Sequence, residues 1–371
     1  MPNPSTDLYS DPLATMRSVI QRVATGPELS KNISLEEAKA ATRFVLDQTV
    51  DPVQAAVFLI GLRMKRETDD EMKGVLEAIC ESTPPTSVEA DEVVALADPY
   101  NGYNRCVPAA PFVPAVLAAC GVAAYTEGVE KMGPKWGATH HQILAAAGID
   151  VNLSSQQAAA RLSDSRIAWT YIDQKVFSPK LYQLSELRRL MVKRPCLTTI
   201  DVLTGPLRGR QKTHLVTGYV HKPYPRIYAM LARHSGFDSA LLIRGVEGGI
   251  TPSLRQTGKC FYYHDNNAEQ DQDLNPTELG ISQELRAAPL PENLQRQDDD
   301  STVAADIPAL AKTAAQMGLA ALRGEAGITR DALIYSGALC LWHVKGTPLP
   351  QAADQIRAVL DNGKALQHFQ A

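Results

Sequence analysis

Residues 96–149 read LADPYNGYNRCVPAAPFVPAVLAACGVAAYTEGVEKMGPKWGATHHQILAAAGI. A short buried strand ends near Ala97, and a turn follows around Asn101-Gly102. The apolar run Pro111–Ala119 predicts a helix and Val122–Tyr125 a second strand. A second glycine-containing loop then opens a helix from Thr139 to Ala147, closed by Gly148. Short apolar runs alternating with helices predict a mostly parallel sheet with helices on both faces. Both loops then fall at the carboxyl edge of that sheet, where α/β proteins hold phosphorylated ligands.

N-terminal to this stretch the pattern is helical. Residues 1–10 read as a loose arm. Leu13, Met16, Val19, Ile20 and Val23 recur at helical spacing. Ser34, Asp51-Pro52 and Thr68 each open a further helix with a capping side chain or a proline at the first turn. Pro84-Pro85 ends the fourth. Residues 1–86 are therefore assigned to an all-α domain and 87–371 to an α/β domain.

C-terminal to the stretch, a helix at Ser154–Leu162 and a strand at Ile167–Ile172 precede one basic amphipathic helix, Pro179–Val192. Strands are expected at Thr213–Tyr219, Ser239–Ile243 and Lys259–His264, with a helix at Pro223–Ser235. Residues 266–306 are polar, acidic and proline-punctuated, and read as an exposed excursion rather than core. Helices follow at Ile307–Leu322, Arg330–Val344 and Pro350–Asp361, with Gly363 as the last C-terminal cap.

The 371 residues are 44% hydrophobic and 21% charged, ordinary for a soluble globular protein. No apolar run approaches the roughly 18 residues of a membrane span. The first residues lack the basic and apolar regions of a secretory signal. Six scattered cysteines form no CxxC, so neither a zinc site nor a disulfide framework is indicated. A cytoplasmic location is expected. Net charge is −4, unevenly spread. Lys175–Lys259 holds 15 Lys+Arg against 4 Asp+Glu, and Phe261–Leu310 holds 2 against 11. Either two solvated surfaces of opposite sign touch each other, or the basic segment faces an anionic ligand.

Four segments together bring a family to view: ETDDEMKGVLEAI at the end of the helical region, residues 96–148, LTGPLRG at 203–209, and DALIYSGALCLWHVKGTPLPQAADQIRAVLDNGKALQHF at the C-terminus. From about Asp11 to Phe369 the chain resembles glycosyltransferase family 3, the family of anthranilate phosphoribosyltransferase and, more distantly, the pyrimidine nucleoside phosphorylases. The resemblance implies a small all-α domain, rejoined by a helix near 179–194, and a larger α/β domain with the active site between them. It implies a homodimer through the helical domain. It also implies phosphoribosyl diphosphate as ligand, with magnesium, in a role related to tryptophan biosynthesis.

Several family motifs are altered. The GTGGD-type turn becomes Asp98-Pro-Tyr-Asn101-Gly102-Tyr-Asn104-Arg105, with a proline that removes a donor. The Asn-x-Ser-Thr run falls on Pro108-Ala-Ala-Pro111, without a hydroxyl. Lys-His-Gly-Asn falls on Thr126-Glu127-Gly128-Val129. Lys131, Lys135, His140 and His141 lie nearby and could restore positive charge. The Asp-Glu pair for magnesium falls on Arg244-Gly-Val-Glu247, leaving no metal ligand set, so any Mg2+ would be held through substrate phosphates. An aromatic-acid contact maps to Arg188 or Arg189. The YNG turn and RGVEGG resemble a divergent branch of anthranilate phosphoribosyltransferase-like paralogues, some of which bind nucleic acid and lack transferase activity.

The candidate phosphate- or substrate-binding residues are thus Asn101, Gly102, Asn104, Arg105, Gly128, Lys131, Lys135, His140, Arg188, Arg189, Arg244 and Glu247. No catalytic residue is assigned. Each also has a plain structural reading. Asn101-Gly102 suits any tight turn, and Gly128 a bend. Lys131 and Lys135 could be solvated, Arg188 and Arg189 could complement a helix dipole, and Arg244 could pair with Glu247. Two functions follow. One is a pentosyltransferase with a ribose-phosphate donor between loops 98–105 and 128–137 and an acceptor other than anthranilate. The other is a non-catalytic binder of nucleic acid or a phosphorylated small molecule. A pI near 6.1 disfavours broad nucleic-acid binding.

Overall fold

The computed structural model describes residues 9–371 apart from 27, 266, 296–303 and 305. Most of the expected N-terminal arm and part of the acidic excursion lie outside the described residues. The chain divides into two compact units, Met1–Pro84 with Ser178–Thr204, and Pro85–Phe177 with Gly205–Ala371.

The first unit begins with α1 (Pro12–Val23), α2 (Leu35–Leu46), α3 (Pro52–Lys65) and α4 (Asp69–Ser82). Asp11, Ser34, Asp51 and Thr68 cap them through their side-chain oxygens, and Ser34/Glu37 and Thr68/Glu71 form full capping boxes. Glu71 is fully buried yet satisfied. It accepts the Ile33 and Thr68 N–H groups at 2.9 and 2.8 Å and pairs with Lys65 at 2.7 Å.

The second unit opens with β1 (Thr86–Ser87), β2 (Glu92–Ala97), α5 (Val113–Ala119), β3 (Ala123–Gly128), α6 (His140–Ala146), α7 (Ser155–Ser163), β4 (Trp169–Asp173) and α8 (Gln174–Phe177). The chain then re-enters the first unit as α9 (Pro179–Gln183), α10 (Ser185–Met191) and α11 (Leu197–Ile200). The single helix expected over 179–192 is broken at Leu184. Its ψ is −1°, and the Ser185 hydroxyl donates to the Tyr182 carbonyl at 2.5 Å, competing with helical pairing.

The second unit resumes with β5 (Leu207–Arg208), β6 (Lys212–Gly218), α12 (Tyr224–His234), β7 (Ser239–Ile243), β8 (Gly258–His264), β9 (Gln270–Leu274), α13 (Ile307–Leu322), α14 (Ile328–Lys345), α15 (Leu349–Asp361) and α16 (Lys364–Gln370). The seven-stranded sheet runs β4-β3-β2-β6-β7-β8-β9. Its first five strands are parallel, and β8 and β9 are antiparallel. The fold is therefore α/β with a helical N-terminal domain and a mostly parallel central sheet.

Two expectations need correction. Gly363 does sit at the C′ position of α15 in the left-handed region, but α15 is not the last helix. At φ +75° the same glycine caps α16, whose Phe369 ring stacks 5.1 Å from Trp169. The acidic excursion is not wholly exposed. Leu274, Leu279, Ile281, Leu290 and Leu294 are buried in the main apolar core, so its apolar residues anchor a polar surface.

The acidic and basic tracts do touch. Lys212 pairs with Asp265 at 2.9 Å, Arg233 with Glu269 at 2.5 Å, and Lys259 with Asp271 and, at 3.5 Å, Asp273. At the amino ends of β6 and β7, Ser239 Oγ lies 2.7 Å from His214 Nδ1 and 2.8 Å from His343 Nε2. The His264 ring stacks on His343 with centroids 4.4 Å apart.

Candidate functional site

Parallel pairing places the ends of β2, β3, β4, β6 and β7 at one edge. The loops around residues 98–105, 129–138, 219–223 and 244–251 follow from it. Asp98, the first residue beyond β2, ties two of these loops to each other and to α6. Its Oδ1 accepts the Ile250 N–H at 2.8 Å, and its Oδ2 accepts from Tyr103 OH and, at 2.9 Å, meets His140 Nε2. Burial and the Asp98 charge hold the Tyr103 phenol well above its ordinary pKa, so it remains the donor. His140 Nδ1 lies 2.7 Å from Thr126 Oγ1. Both nitrogens of His140 are therefore engaged inside the protein.

Loop 98–105 is stitched to loop 129–138 by backbone. Tyr103 and Ala138 exchange hydrogen bonds at 2.9 and 2.6 Å, and Gly137 N–H donates to Asn101 C=O at 2.9 Å. Gly102 is needed here. It has φ +69°, and a Cβ would lie 2.6 Å from the Ala138 carbonyl oxygen.

The unexpected member is Glu247. Its carboxylate accepts the backbone N–H groups of Asn104 at 3.2 Å and Arg105 at 2.9 Å. It also accepts the Cys106 thiol at 3.2 Å and forms an ion pair with Lys135. Burial first, then Glu247 itself, push the Cys106 thiol up, so the sulfur keeps its proton and donates. Lys135 and Glu247 side chains are 13% and 7% exposed. Glu247 reaches this position from a left-handed conformation, φ 54°. The glycines around it serve packing: a Cβ at Gly249 would strike the Tyr103 hydroxyl at 1.7 Å. An internal carboxylate thus sits on two adjacent N–H donors and a lysine, the donor set that would suit an external phosphate.

The remaining candidates are dispersed. Gly128 has ordinary room, since a Cβ there would lie 3.6 Å from Tyr171 OH. Lys131 is exposed, 3.6 Å from Glu130. Arg244 is exposed and makes no ion pair among the described residues; Glu247 pairs with Lys135 instead. Its charge partly offsets the burial that raises the Tyr219 phenol. Arg188 and Arg189 lie in the first unit. Arg188 is buried and bidentate on Asp201, and Arg189 pairs with Glu186 at the surface. Asp98, Tyr103 and Thr126 were missed as site residues. The available signal was an acid just past the carboxyl end of a strand.

Among the described residues, no group of three His, Cys, Asp or Glu side chains could hold a metal ion. Glu247, at the position of the metal carboxylates, already accepts from four donors. The protein's own residues therefore do not fit a magnesium site.

A glycosyl transferase family helical bundle domain matches residues 17–83, and the a/b domain of the same family matches residues 109–366. The chain belongs to this glycosyl transferase family. Among curated relatives, an uncharacterized protein of Aquifex aeolicus is 28% identical over 222 residues, 60% of this chain and 65% of that protein. The anthranilate phosphoribosyltransferase of Petrotoga mobilis is 22% identical over 359 residues, 95% of this chain and 94% of the relative. Among solved structures, anthranilate phosphoribosyltransferase from Saccharomyces cerevisiae in complex with PRPP and Mg superposes with a TM-score of 0.76 at 14% identity, covering 96% of each chain. At that identity the likeness establishes the fold. No helix among the described residues is long and apolar enough to cross a membrane.

Proposed function

We propose that this family member binds a phosphate-bearing ligand without the magnesium-assisted diphosphate chemistry of a phosphoribosyltransferase. The observation that carries this reading is Glu247, whose carboxylate occupies the Asn104 and Arg105 N–H groups and the Lys135 ammonium. A second anion there would meet like charge in a buried setting, where repulsion is strong. Lys131, Lys222 and Arg244, exposed on the loops at the sheet's carboxyl edge, supply cations for a ligand outside the filled cradle.

Calorimetry with phosphoribosyl diphosphate, with and without magnesium, tests this. No magnesium-dependent heat is expected from the wild type at millimolar ligand. Glu247→Ala, which uncovers the donors, is expected to gain pyrophosphate binding. Tight magnesium-dependent binding by the wild type would overturn the reading. Gel shifts with a single-stranded oligonucleotide address the macromolecular ligand; a complex that weakens steeply with salt supports it, and unchanged mobility at low salt excludes it.

One observation favours a pentosyltransferase with a donor such as phosphoribosyl diphosphate and an acceptor other than anthranilate. The donors around Glu247 are intact, and Gly245, Gly248 and Gly249 flank it. A donor whose phosphates carry their own Mg2+ could displace the carboxylate. The wild-type calorimetry above separates the two readings.

A further inference from the structure

β4 ends on Asp173, which pairs in register with Gly128 at the end of β3. Asp173 Oδ2 accepts the Tyr171 hydroxyl at 2.9 Å and lies 2.8 Å from His141 Nδ1, while Oδ1 accepts the Lys175 backbone N–H at 2.8 Å. Burial and the adjacent Asp173 charge raise the Tyr171 phenol well above its ordinary pKa, so its O–H is a donor. An ionised carboxylate accepts only. The contact with His141 therefore places the proton on Nδ1 and leaves the lone pair on Nε2.

The imidazole is held as well as oriented. Its ring meets Tyr171 edge-on, with centroids 5.9 Å apart and planes at 84°. The His141 side chain is 16% exposed, and Nε2 has no protein partner among the described residues. His140 differs, because its two nitrogens are both bonded internally. The Glu127 charge on β3 reaches the Tyr171 phenol; Glu130 and Lys131 follow on the next loop, and Lys175 follows β4. Thr139 Oγ1 donates to Glu130 C=O at 3.0 Å, which returns that loop to the start of α6. Lys131 and Lys175 are exposed, and Lys175 makes no ion pair among the described residues.

We propose that His141, oriented by Asp173 and Tyr171, is a contact of a phosphate-binding site at the carboxyl ends of β3 and β4, its Nε2 lone pair accepting the proton of a P–OH group. Lys131 and Lys175 supply the site's charge, and the ligand is a small phosphate monoester. The site shares no residue with the Glu247 cradle; Lys131 is common to it and to the exposed cations of the proposed function, but the response of His141 to phosphate does not depend on what fills the cradle.

Side-chain ¹⁵N NMR of the histidines in the full-length protein, titrated with inorganic phosphate, tests it. Without phosphate, His141 is expected as the Nδ1–H tautomer. Added phosphate is expected to move its Nε2 resonance and leave His140, the internal reference, in place. His141→Gln is expected to weaken phosphate binding about tenfold, the worth of one hydrogen bond to a charged group. Asp173→Asn is expected to redistribute the His141 tautomers and weaken phosphate binding in parallel. An Nε2–H tautomer in the wild type, or an Nε2 signal indifferent to phosphate, would overturn the proposal without recourse to any variant.

Discussion

Arg188 directs both terminal nitrogens at Asp201, at 3.1 and 2.7 Å, and the two side chains are 2% and 1% exposed. A buried pair of this kind is costly to break singly, because the surviving charge is stranded. Asp201→Ala is expected to lose about 3–5 kcal/mol in urea unfolding. Arg189→Ala, which removes a fully exposed pair with Glu186, is expected to leave the midpoint in place. If Arg188→Ala instead left stability intact and lowered ligand affinity, the guanidinium would belong to a binding surface. The resemblance mapped an aromatic-acid contact to Arg188 or Arg189, and the string of residues alone did not separate the two. Burial separates them, since successive side chains on α10 face different directions. Glu247 shows the same limit. Comparison of motifs revealed the loss of a metal pair. It could not reveal that the remaining carboxylate folds back onto N–H groups more than 140 residues away through a left-handed φ.

At the scale of elements, the features legible in the sequence were those set by local chemistry. Ser34, Asp51 and Thr68 cap the helices they announce, because capping uses atoms within three residues. The buried leucines of the acidic excursion depend on tertiary packing, and the break at Leu184 accompanies a side-chain hydrogen bond from Ser185 to the Tyr182 carbonyl; apolar periodicity reports neither. The histidine group joining β6, β7, β8 and α14 was likewise invisible. His343 is pushed well below the ordinary imidazole pKa by burial, then by His264 and His214; His214 and His264 are also lowered, chiefly by burial. Glu92, Asp238, Asp265 and Lys212 face the group, and the carboxylates only partly offset desolvation. In the unfolded chain these rings take up protons near pH 6.5, and in the folded state they do so only at lower pH. Their neutral packing is thus fully supported above pH 6.5, and stability falls as pH drops below it. Each proton taken up on unfolding adds a slope of about 1.4 kcal/mol per pH unit. Urea midpoints measured between pH 7.5 and 5 are expected to fall, and His343→Gln to flatten the fall. A wild-type midpoint independent of pH over that range would mean that the rings take up protons as readily in the folded protein as in the unfolded chain.

At the scale of the whole molecule, the family fold could be read from segment order alone, since seven strands and their helices must alternate in a fixed sequence to build this sheet. Self-association is an expectation of the resemblance, and the surface of α3 bears on it. Its Ala55, Phe58, Leu59 and Leu62 recur at helical spacing and are buried within the first unit. Val53, Val57 and Met64 lie on another face, also at helical spacing, and are 70%, 38% and 73% exposed. A helix with one apolar stripe is satisfied by its own core. One with two stripes leaves apolar surface in water, at about 25 cal/mol for each Å² that a partner could cover. The dimer that the resemblance implies through the helical domain would give that second stripe a partner, a second copy of the same face. Val57→Glu sits at its centre and is expected to yield a monomer in sedimentation velocity while leaving the far-ultraviolet circular dichroism unchanged, since the side chain is already part-exposed. A dimeric Val57→Glu protein would place the interface elsewhere, and a monomeric wild type would show that this stripe has no self-complementary role.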